Sequence, residues 1–366
     1  MRVAVTGAAG FLGWHLSCRL AATRGIEPLR IGRPETEDPE SLATLLRDVD
    51  TVIHLAGVNR AGSDPEVEVG NVAPAESLAD ALRGRPVHVV YANSVQADLD
   101  NAYGRGKRRA AELLAGLPGT FADVVLPNLF GEHGRPAYNS FVATFCHEVA
   151  AGRTPPVHED RQVPLLHVQS AAEALIAAAV ASKSQEVRPE GEPRGVREVL
   201  EALERFHAMY AVRGEVPDVS TSFARDLFNT YRSHLFPGAY PIRADRHSDA
   251  RGDLFEAVRA HGGTGQAFVS TTVPGAVRGN HYHLHKIERF LVVRGEAEIA
   301  LRRLYHDEVV RFRVSGVRPE FVDMPTMWVH HIRNIGDDEL VTVFWADQLL
   351  DRECPDQYPL KVEERP

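Results

Sequence analysis

The stretch Thr6-Gly7-Ala8-Ala9-Gly10-Phe11-Leu12-Gly13 decides how the first half of the chain folds. It lies between an apolar run, Arg2 to Thr6, that predicts a buried strand and a run, Phe11 to Ala22, that predicts a helix. In such a loop the first glycine permits a tight turn, the second lets the backbone approach a pyrophosphate, and the third lets the helix pack on the strand. The helix N-terminus also presents free N–H groups to phosphates. The residues predicted to contact a dinucleotide here are Gly7, Gly10, Phe11, Leu12 and Gly13.

The rest of the first half alternates short apolar runs with helical stretches. Further strands are predicted at Leu29–Ile31, Asp50–Leu55, Val87–Tyr91 and Ala122–Leu126. Strands at this spacing with helices between them indicate parallel βαβ units, whose sheet is buried on both faces. Residues 182–195 are rich in charge, Pro and Gly and are predicted to form a surface loop, whereas 196–210 are predicted to be helical.

The second half has a different pattern. Period-2 alternation and turn residues dominate in 266–273, 288–303, 309–314 and 340–345. Many short strands separated by Gly and Pro predict an all-β sandwich or barrel. We therefore expect two domains, residues 1–240 and residues 243–366.

The composition excludes several classes of function. The 366 residues carry a formal net charge of −9, whereas proteins that bind the nucleic-acid backbone usually have a basic face. Without a basic amphipathic helix or a long apolar run, we expect neither a nucleic-acid nor a membrane partner. The three cysteines form no CxxC pair, and no signal peptide precedes the first strand. The expected location is therefore the cytoplasm.

Arg33 bears on which dinucleotide is used. It follows the second predicted strand directly after Gly32, where an acidic residue would bind the ribose 2′-hydroxyl of NAD and an arginine suits the 2′-phosphate of NADP. The sequence therefore predicts NADP(H), with Arg33 as a cofactor contact. The alternative is that Arg33 is a solvated surface charge.

Tyr103 and Lys107 form a YxxxK pair, and residues four apart share one face of a helix. A lysine ammonium beside a phenol favours the phenolate, and such a tyrosine can serve as general acid for a carbonyl that is being reduced. Ser94, just after the strand at Val87–Tyr91, can donate a hydrogen bond to the same oxygen. We predict that Ser94, Tyr103 and Lys107 are catalytic and that Tyr103 and Lys107 also contact the cofactor. A YxxxK pair on a helix surface with no such role is the alternative.

The second half contains a pattern of metal-binding side chains. Gly275-x5-His281-x-His283-x4-Glu288-x6-Gly295 is followed by Pro325-x4-His330-x3-Asn334. Two histidines at i and i+2 on a strand point the same way, and three His with one Glu suit a divalent metal such as zinc, manganese, iron or nickel. We predict that His281, His283, Glu288 and His330 bind a divalent metal. Both halves match the two cupin motifs in order and spacing, except that Met327 stands where the second motif normally has Gly.

The first half resembles the extended short-chain dehydrogenase/reductases. The resemblance rests on the glycine loop, on His54-Leu55-Ala56-Gly57 at a strand end, on Asn71-Val72 at the head of a helix, and on YxxxK. It implies a Rossmann-type fold, a cofactor contact at Ala56 and a nucleotide-sugar substrate. It also implies that Asn128 contacts the substrate. Weaker candidates for the diphosphate are Arg135, Asn139 and Arg161. Ser94 lies only nine residues before Tyr103, a shorter interval than most members have, and Gln169 stands where many have Asp.

The whole chain resembles the bifunctional CapF-type enzymes, which make a precursor of UDP-N-acetyl-L-fucosamine. The segments that carry this resemblance are Thr6–Gly13, His54–Arg60, Asp100–Gly104, Pro127–Gly131, Tyr138–Ser140, Ala143–Cys146, Gly279–His281 and Phe290–Val293. In such enzymes a zinc cupin epimerises C3 of a 4-keto sugar, and the reductase domain then reduces C4 with NADPH. A homodimer is expected by analogy. Candidates for the epimerase base are Lys286, Tyr305, His306 and His285, and their spacing selects none of them.

Other functions stay open at this point. The chain could be a plain ketoreductase or 4-epimerase whose cupin is structural or dimerising. Its Ala- and Arg-rich composition also allows a dTDP-linked antibiotic sugar. A non-catalytic NADP sensor is a further alternative, against which the intact Ser94, Tyr103 and Lys107 argue.

Overall fold

The computed structural model describes residues 1–365 and divides into two compact units. The first unit contains Met1–Phe130 and Arg161–Arg194, and the second contains Gly131–Asp160 and the chain from Gly195 onward. The edges of these units do not coincide with the predicted boundary near residue 240, because residues 131–160 and 195–240 cluster with the strand-rich half. The division into a reductase domain, residues 1–240, and a cupin domain, residues 243–366, stays a prediction.

The described residues contain nine α-helices, with a 3₁₀ turn at Val95–Asp98 and a π turn at His207–Ala211. The helices are α1 (Phe11–Ala22), α2 (Arg33–Glu37), α3 (Pro39–Leu45), α4 (Asp64–Ala81), α5 (Ala102–Ala115), α6 (Phe141–Ala150), α7 (Val168–Ala181), α8 (Val196–Phe206) and α9 (Ser222–Leu235). None of them within the described chain combines the length and the apolar character needed to cross a lipid bilayer.

The strands fall into two groups along the chain. Those before residue 196 are β1 (Arg2–Thr6), β2 (Glu27–Ile31), β3 (Thr51–His54), β4 (His88–Ser94), β5 (Phe121–Leu126), β6 (Asn128–Phe130), β7 (Gln162–His167), β8 (Gln185–Val187) and β9 (Glu192–Gly195). Those that follow are β10 (Ile242–Arg243), β11 (Arg246–Asp249), β12 (Gly252–Phe255), β13 (Gln266–Thr272), β14 (Val277–Tyr282), β15 (Glu288–Arg294), β16 (Glu296–Arg303), β17 (Val309–Ser315), β18 (Glu320–Met324), β19 (Trp328–Asn334), β20 (Leu340–Ala346) and β21 (Tyr358–Pro359).

The first unit is built on a six-stranded parallel sheet in the order β2-β1-β3-β4-β5-β8. Alternate residues of β1 enter different cores. Val3 and Val5 pack with α1 and α7, whereas Ala4 belongs to the core formed with α3 and α4. Burial on both faces explains why the central strands are apolar throughout. The predicted α/β class is therefore confirmed.

Two local predictions in this unit are wrong. Residues 182–195 are not one surface loop, because β8 extends the large sheet beside β5 and β9 joins a small sheet with β6 and β7. These short strands are partly exposed, and their charged and Pro-rich sequence has the composition of a loop. Asn71 lies in the middle of α4 rather than at its head, because the helix begins at Asp64.

The strand-rich part of the second unit has two five-stranded antiparallel sheets, in the orders β10-β18-β15-β20-β13 and β17-β16-β19-β14-β21. The predicted run 288–303 is two strands, β15 and β16, that belong to different sheets. Gly295 joins them with a φ of 87°, a left-handed conformation that glycine adopts without steric cost. The predicted all-β class is confirmed. The chain passes from one sheet to the other at Gly295.

A buried polar network links these strands to the helical segment of the same unit. Arg289 on β15 forms a paired ion bridge with Asp323 on β18, with N–O distances of 2.7 and 2.9 Å. The Tyr210 hydroxyl, from the turn after α8, donates to Asp323 over 2.6 Å and lies 2.5 Å from the Tyr240 hydroxyl. Both ionic groups are buried. This network gives a physical reason why residues 195–240 cluster with the strands.

Candidate active site and metal centre

The glycine loop closes tightly against the end of β3. Gly7 has a φ of 68°, and a Cβ there would lie 2.9 Å from the Ala56 nitrogen. A Cβ on Gly13 would lie 2.2 Å from the Gly7 oxygen, so α1 can approach the loop only if residue 13 is glycine. Gly10 caps α1 and is exposed, which leaves its backbone open to a ligand at the helix N-terminus. This cradle fits the diphosphate of a dinucleotide.

Thr6 and His54 fix the neighbouring strand ends. The Thr6 hydroxyl oxygen accepts from the backbone N–H of Leu55 at 3.2 Å and of Ala56 at 3.4 Å, and it lies 2.9 Å from Nδ1 of His54. Burial, reinforced by the nearby Lys107 charge, lowers the pKa of His54 to about 3. His54 is therefore neutral and holds the strand ends in register.

Two arginines lie near the position expected for the adenosine ribose. Arg33 is the first residue of α2, and its exposed side chain bonds Glu37 over 2.9 Å. Arg30, at the end of β2, donates to the Ala8 carbonyl of the glycine loop over 3.1 Å. The sequence reasoning missed Arg30, because its position on the loop depends on strand pairing rather than on any motif.

Lys107 is the most deeply buried cation of the first unit's candidate site. Its Nζ donates to the Ala92 carbonyl over 2.9 Å and lies 5.8 Å from the centroid of the Tyr103 ring. Burial lowers the pKa of Lys107 to about 8, and the charge of Asp123 opposes this shift. The YxxxK pair is therefore not a surface pair, since Lys107 is buried and Tyr103 is half-buried.

The two glycines between Tyr103 and Lys107 explain how α5 reaches this position. A Cβ on Gly104 would lie 2.4 Å from the Gln96 oxygen, and one on Gly106 would lie 3.1 Å from the Glu68 oxygen of α4. Asn101 caps the helix by accepting from the Gly104 N–H at 2.8 Å. The sequence Asn101-x-Tyr-Gly-x-Gly-Lys thus starts the helix and lets it pack closely.

Ser94 ends β4 on the same unit. Its backbone N–H donates to the Asn93 side chain over 2.9 Å, and its hydroxyl accepts from the Gln96 N–H at 3.2 Å. Asn93 also donates to Asp123 over 3.0 Å. The sequence reasoning missed both Asn93 and Asp123. Pairing of β4 with β5 brings them together, and the Asp123 charge acts on Lys107.

The four predicted substrate residues are divided between the units. Asn128 and Arg161 belong to the first, and Arg135 and Asn139 to the second. All four are exposed, and the Arg135 guanidinium lies 5.1 Å from the Tyr138 ring centroid. Their role stays a prediction.

The four predicted metal ligands converge in the second unit. Their ligand atoms lie within 4.8 Å of one another. From Glu288 Oε2 the distance is 3.2 Å to Nε2 of His283, 3.3 Å to Nε2 of His330 and 3.8 Å to Nε2 of His281. The strands position them because β14 pairs with β19, which sets His281 opposite His330.

Two of the histidines are held in the tautomer that metal binding needs. Nδ1–H of His283 donates to the Asp356 carbonyl over 2.5 Å, and Nδ1–H of His330 donates to the Trp328 carbonyl over 3.0 Å. A carbonyl can only accept, so Nδ1 carries a proton in both rings, and Nε2 is the nitrogen that faces the cluster and is available to a metal. Within the described residues, Nε2 of His281 and of His330 is buried without a hydrogen-bond partner.

Glu288 is held as an anion in this setting. Burial opposes its ionisation, but the three surrounding imidazoles outweigh burial and keep its pKa well below the usual range. One carboxylate and three imidazole nitrogens are a donor set for a divalent cation such as zinc. The residues present therefore fit a metal.

Met327 occupies the position where the second motif normally has glycine. It has a φ of 60°, and its N–H donates to the His283 carbonyl over 2.7 Å. The left-handed turn that a glycine would favour is therefore kept with a methionine, whose side chain is fully buried. The turn still places His330 in the cluster.

The candidate epimerase bases are not distinguished by the geometry. Lys286 is buried and donates to the Pro355 carbonyl over 2.7 Å. Nδ1 of His285 lies 3.9 Å from Asp226, while Tyr305 and His306 follow β16.

A parallel sheet with a glycine loop, and a tyrosine near a buried lysine, define an oxidoreductase of the short-chain dehydrogenase/reductase type. The chain belongs to the NAD dependent epimerase/dehydratase family, whose sequence profile matches residues 3–188. Residues 247–358 match the profile of the polysaccharide biosynthesis C-terminal domain.

Relatives resemble the chain over its full length. A UDP-2-acetamido-2,6-beta-L-arabino-hexul-4-ose reductase of Pseudomonas aeruginosa is 34% identical, with 100% of each chain covered. The crystal structure of the capsular polysaccharide assembling protein CapF of Staphylococcus aureus is 30% identical, with a TM-score of 0.61 over 99% of this chain and 100% of that one. A UDP-N-acetylglucosamine 4-epimerase of Bacillus cereus shares the fold at 20% identity and a TM-score of 0.52, over 57% of this chain and 82% of that one.

Proposed function

We propose that the chain is a bifunctional nucleotide-sugar enzyme. Its cupin unit epimerises C3 of a UDP-linked 4-keto-6-deoxy-2-acetamido sugar, and its Rossmann-type unit then reduces the C4 ketone with NADPH. The observation that carries the proposal is that one chain holds both a buried Lys107 near Tyr103 and four convergent metal-type ligands around Glu288. The names of the full-length relatives, a 4-ulose reductase and a capsular polysaccharide protein, support the same substrate class.

The order of the two reactions follows from the chemistry of the sugar. The hydrogen on C3 is acidic only while C4 is a ketone, because the carbanion that forms is an enolate. Reduction removes the ketone and fixes the configuration at C3. Epimerisation must therefore precede reduction, and the product of the first reaction is the substrate of the second.

In the reductase step the side chains of the first unit control a proton. A reduced nicotinamide, when bound, would supply the hydride for C4. Tyr103 donates its proton to the C4 oxygen, and Ser94 stabilises that oxygen with a hydrogen bond. Lys107 stabilises the phenolate left on Tyr103. Gly7, Gly10, Phe11, Leu12, Gly13 and Ala56 would hold the dinucleotide.

In the epimerase step the barrel would stabilise negative charge on the sugar. His281, His283, Glu288 and His330 would hold a divalent cation, for which zinc is our expectation, and a cation there would supply Lewis acidity toward the developing enolate. The base that removes the C3 proton is among Lys286, Tyr305, His306 and His285.

The finer assignments belong to the same proposal. NADP(H) is favoured by Arg33, and Arg30 offers a second cation for the 2′-phosphate. Asn128, Arg135, Asn139 and Arg161 are proposed to bind the UDP-sugar. A homodimer in the cytoplasm stays a prediction.

Product analysis tests the proposal. The purified chain is incubated with the UDP-4-keto-6-deoxy-2-acetamido sugar and NADPH, and the product configuration is determined by NMR. We expect a C4 hydroxyl with C3 inverted. Reduction with C3 retained would leave a plain ketoreductase with a structural cupin, and turnover of only the dTDP-linked sugar would contradict the UDP carrier.

A further inference from the structure

A segment that no motif marked lies along the candidate metal centre. Residues 355–362, here called the strap, follow an exposed stretch and run beside β14. The short strand β21 within the strap pairs with β14, setting Pro359 opposite His281 and Tyr358 opposite Tyr282. The strap is thus in register with the strand that carries the first metal-type ligand.

Asp356 makes the densest set of contacts in the strap. Its carboxylate accepts three backbone N–H groups of the turn between β14 and β15, from Leu284 at 2.9 Å, His285 at 2.9 Å and Lys286 at 2.8 Å. This turn joins His283 to Glu288. A single side chain therefore sets the path of the backbone between two of the four ligands.

The backbone of Asp356 acts on a ligand directly. Its carbonyl accepts Nδ1–H of His283, which makes Nε2 the nitrogen that faces Glu288. Asp356 has a φ of 42°, a conformation that Asp and Asn tolerate better than most residues. The carboxylate and the carbonyl of one residue thus orient the turn and the imidazole together.

The rest of the strap is fastened at its far end. The Leu360 N–H donates to the Asn280 carbonyl over 3.0 Å, and Val362 is fully buried. The Arg302 guanidinium on β16 donates to the Val362 carbonyl over 2.5 Å. The Gln357 amide lies 3.4 Å from Nδ1 of His281, where its oxygen, if turned toward the ring, would accept Nδ1–H.

We propose that Asp356 is a positioning residue for the metal centre, which it organises by holding the 284–286 turn and the His283 tautomer before a cation binds. This inference rests on the proposed metal centre. Groups that hydrogen-bond to metal-bound histidines typically contribute 10–100-fold to metal affinity. Asp356 is not one of the four convergent ligands, so its effect should fall on metal affinity and not on the reductase.

The test compares zinc affinities of full-length, metal-free proteins by competition with a chromophoric chelator. We expect Asp356→Ala to weaken zinc binding about 10–100-fold and Asp356→Asn, which keeps one acceptor oxygen, to weaken it less. Asp351→Asn is the matched control: Asp351 is exposed in the same part of the chain and accepts only from the Glu353 N–H. NADPH-dependent reduction of the 4-keto sugar, supplied with C3 already epimerised, should be unchanged in all three variants.

A second measurement does not depend on the folding of the alanine variant. Hydrogen exchange of the metal-free wild type should show protected amides at 284–286, and Asp356→Asn should speed their exchange while the β16 and β19 amides stay protected. Equal zinc affinities of wild type and Asp356→Ala, or unprotected 284–286 amides in the wild type, would overturn the proposal. A wild type that binds no zinc would instead contradict the metal centre itself.

Discussion

Lys107 and Glu288 are both buried ionisable groups, but the protein disfavours the charged form of the first and favours the charged form of the second. Burial lowers the pKa of Lys107 to about 8, and the charge of Asp123 opposes this shift without cancelling it. Burial also acts against Glu288, but three imidazoles reverse its effect and hold the pKa of the carboxyl well below the usual range. The first site therefore favours the neutral form of its lysine, whereas the second favours the charged form of its glutamate.

The difference matches two kinds of chemistry. A cation whose pKa lies near working pH can share in proton transfer during each turnover. An anion that stays ionised beside three imidazole nitrogens is suited to hold a divalent cation. The buried pair of Arg289 and Asp323 differs from both groups, because its two opposite charges compensate each other.

Removing the proton donor should give the largest effect. Tyr103→Phe should slow NADPH oxidation about 10²–10⁴-fold, since the C4 oxygen loses its acid, and should leave deuterium exchange at C3 intact. Stopped-flow absorbance follows the first activity and NMR the second. Loss of both activities in a folded variant would contradict the two-site account.

Removing the anion should abolish the second site. Glu288→Gln and His283→Ala should each lose bound zinc, which elemental analysis of the purified proteins measures. His247→Ala is the control, because His247 lies on the exposed strand β11 and outside the cluster. Unchanged metal content in both ligand variants would show that these residues are not the ligands.

Breaking the buried ion pair of Arg289 and Asp323 should lower stability rather than activity. Asp323→Asn leaves Arg289 buried without its counter-ion, which we expect to destabilise the second unit by about 3–5 kcal/mol. The unfolding midpoint of that unit in urea measures the loss. Residues 243–366 expressed alone should also be less stable, because they lack Tyr210 of the same network. An unchanged midpoint for Asp323→Asn would mean that the pair contributes little.

The pH dependence of reduction tests the first half of the comparison. The folded pKa of Lys107 lies below the ordinary value of 10.5, so the ammonium is present below about pH 8 and is lost as pH rises through that value. We expect kcat/KM for reduction to be level below about pH 8 and to fall above it. Lys107→Arg, whose guanidinium stays charged, should remove this alkaline limb. A limb that persists in the arginine variant would belong to another group.

The smallest effect should come from the cofactor arginines. Arg33→Ala and Arg30→Ala should each raise KM for NADPH about tenfold, the typical worth of a charge-assisted hydrogen bond, while KM for NADH stays constant. Arg24→Ala, an exposed arginine after α1, is the control. Equal changes for NADPH and NADH would show that neither arginine reads the 2′-phosphate.

The sequence predicted features that depend on local spacing. The glycine loop, the YxxxK pair and the His-x-His-x4-Glu pattern each lie within a few residues, so one turn or strand fixes their geometry. Both fold classes followed from the apolar periodicity and are confirmed. Features that depend on distant pairing were missed, among them Asp123 beside Lys107, Arg30 on the glycine loop and Asp356 against His283.

The edges of the compact units show the same limit. A change of pattern near residue 240 marks where strands begin, but the Tyr210–Asp323 bond ties the preceding helical segment to those strands. This hydrogen bond joins residues more than a hundred positions apart, so no local sequence pattern predicts it. The sequence of residues 182–195 predicts a loop for a related reason, since short and partly exposed strands share the composition of turns.

The central claim is that one chain performs C3 epimerisation and then C4 reduction. NMR of the protein with a UDP-4-keto-6-deoxy-2-acetamido sugar in deuterated water, first without and then with NADPH, tests it most directly. The account predicts that deuterium enters C3 before NADPH is added and that a C4 hydroxyl with inverted C3 forms afterwards. Oxidation of NADPH with no deuterium at C3 would contradict it.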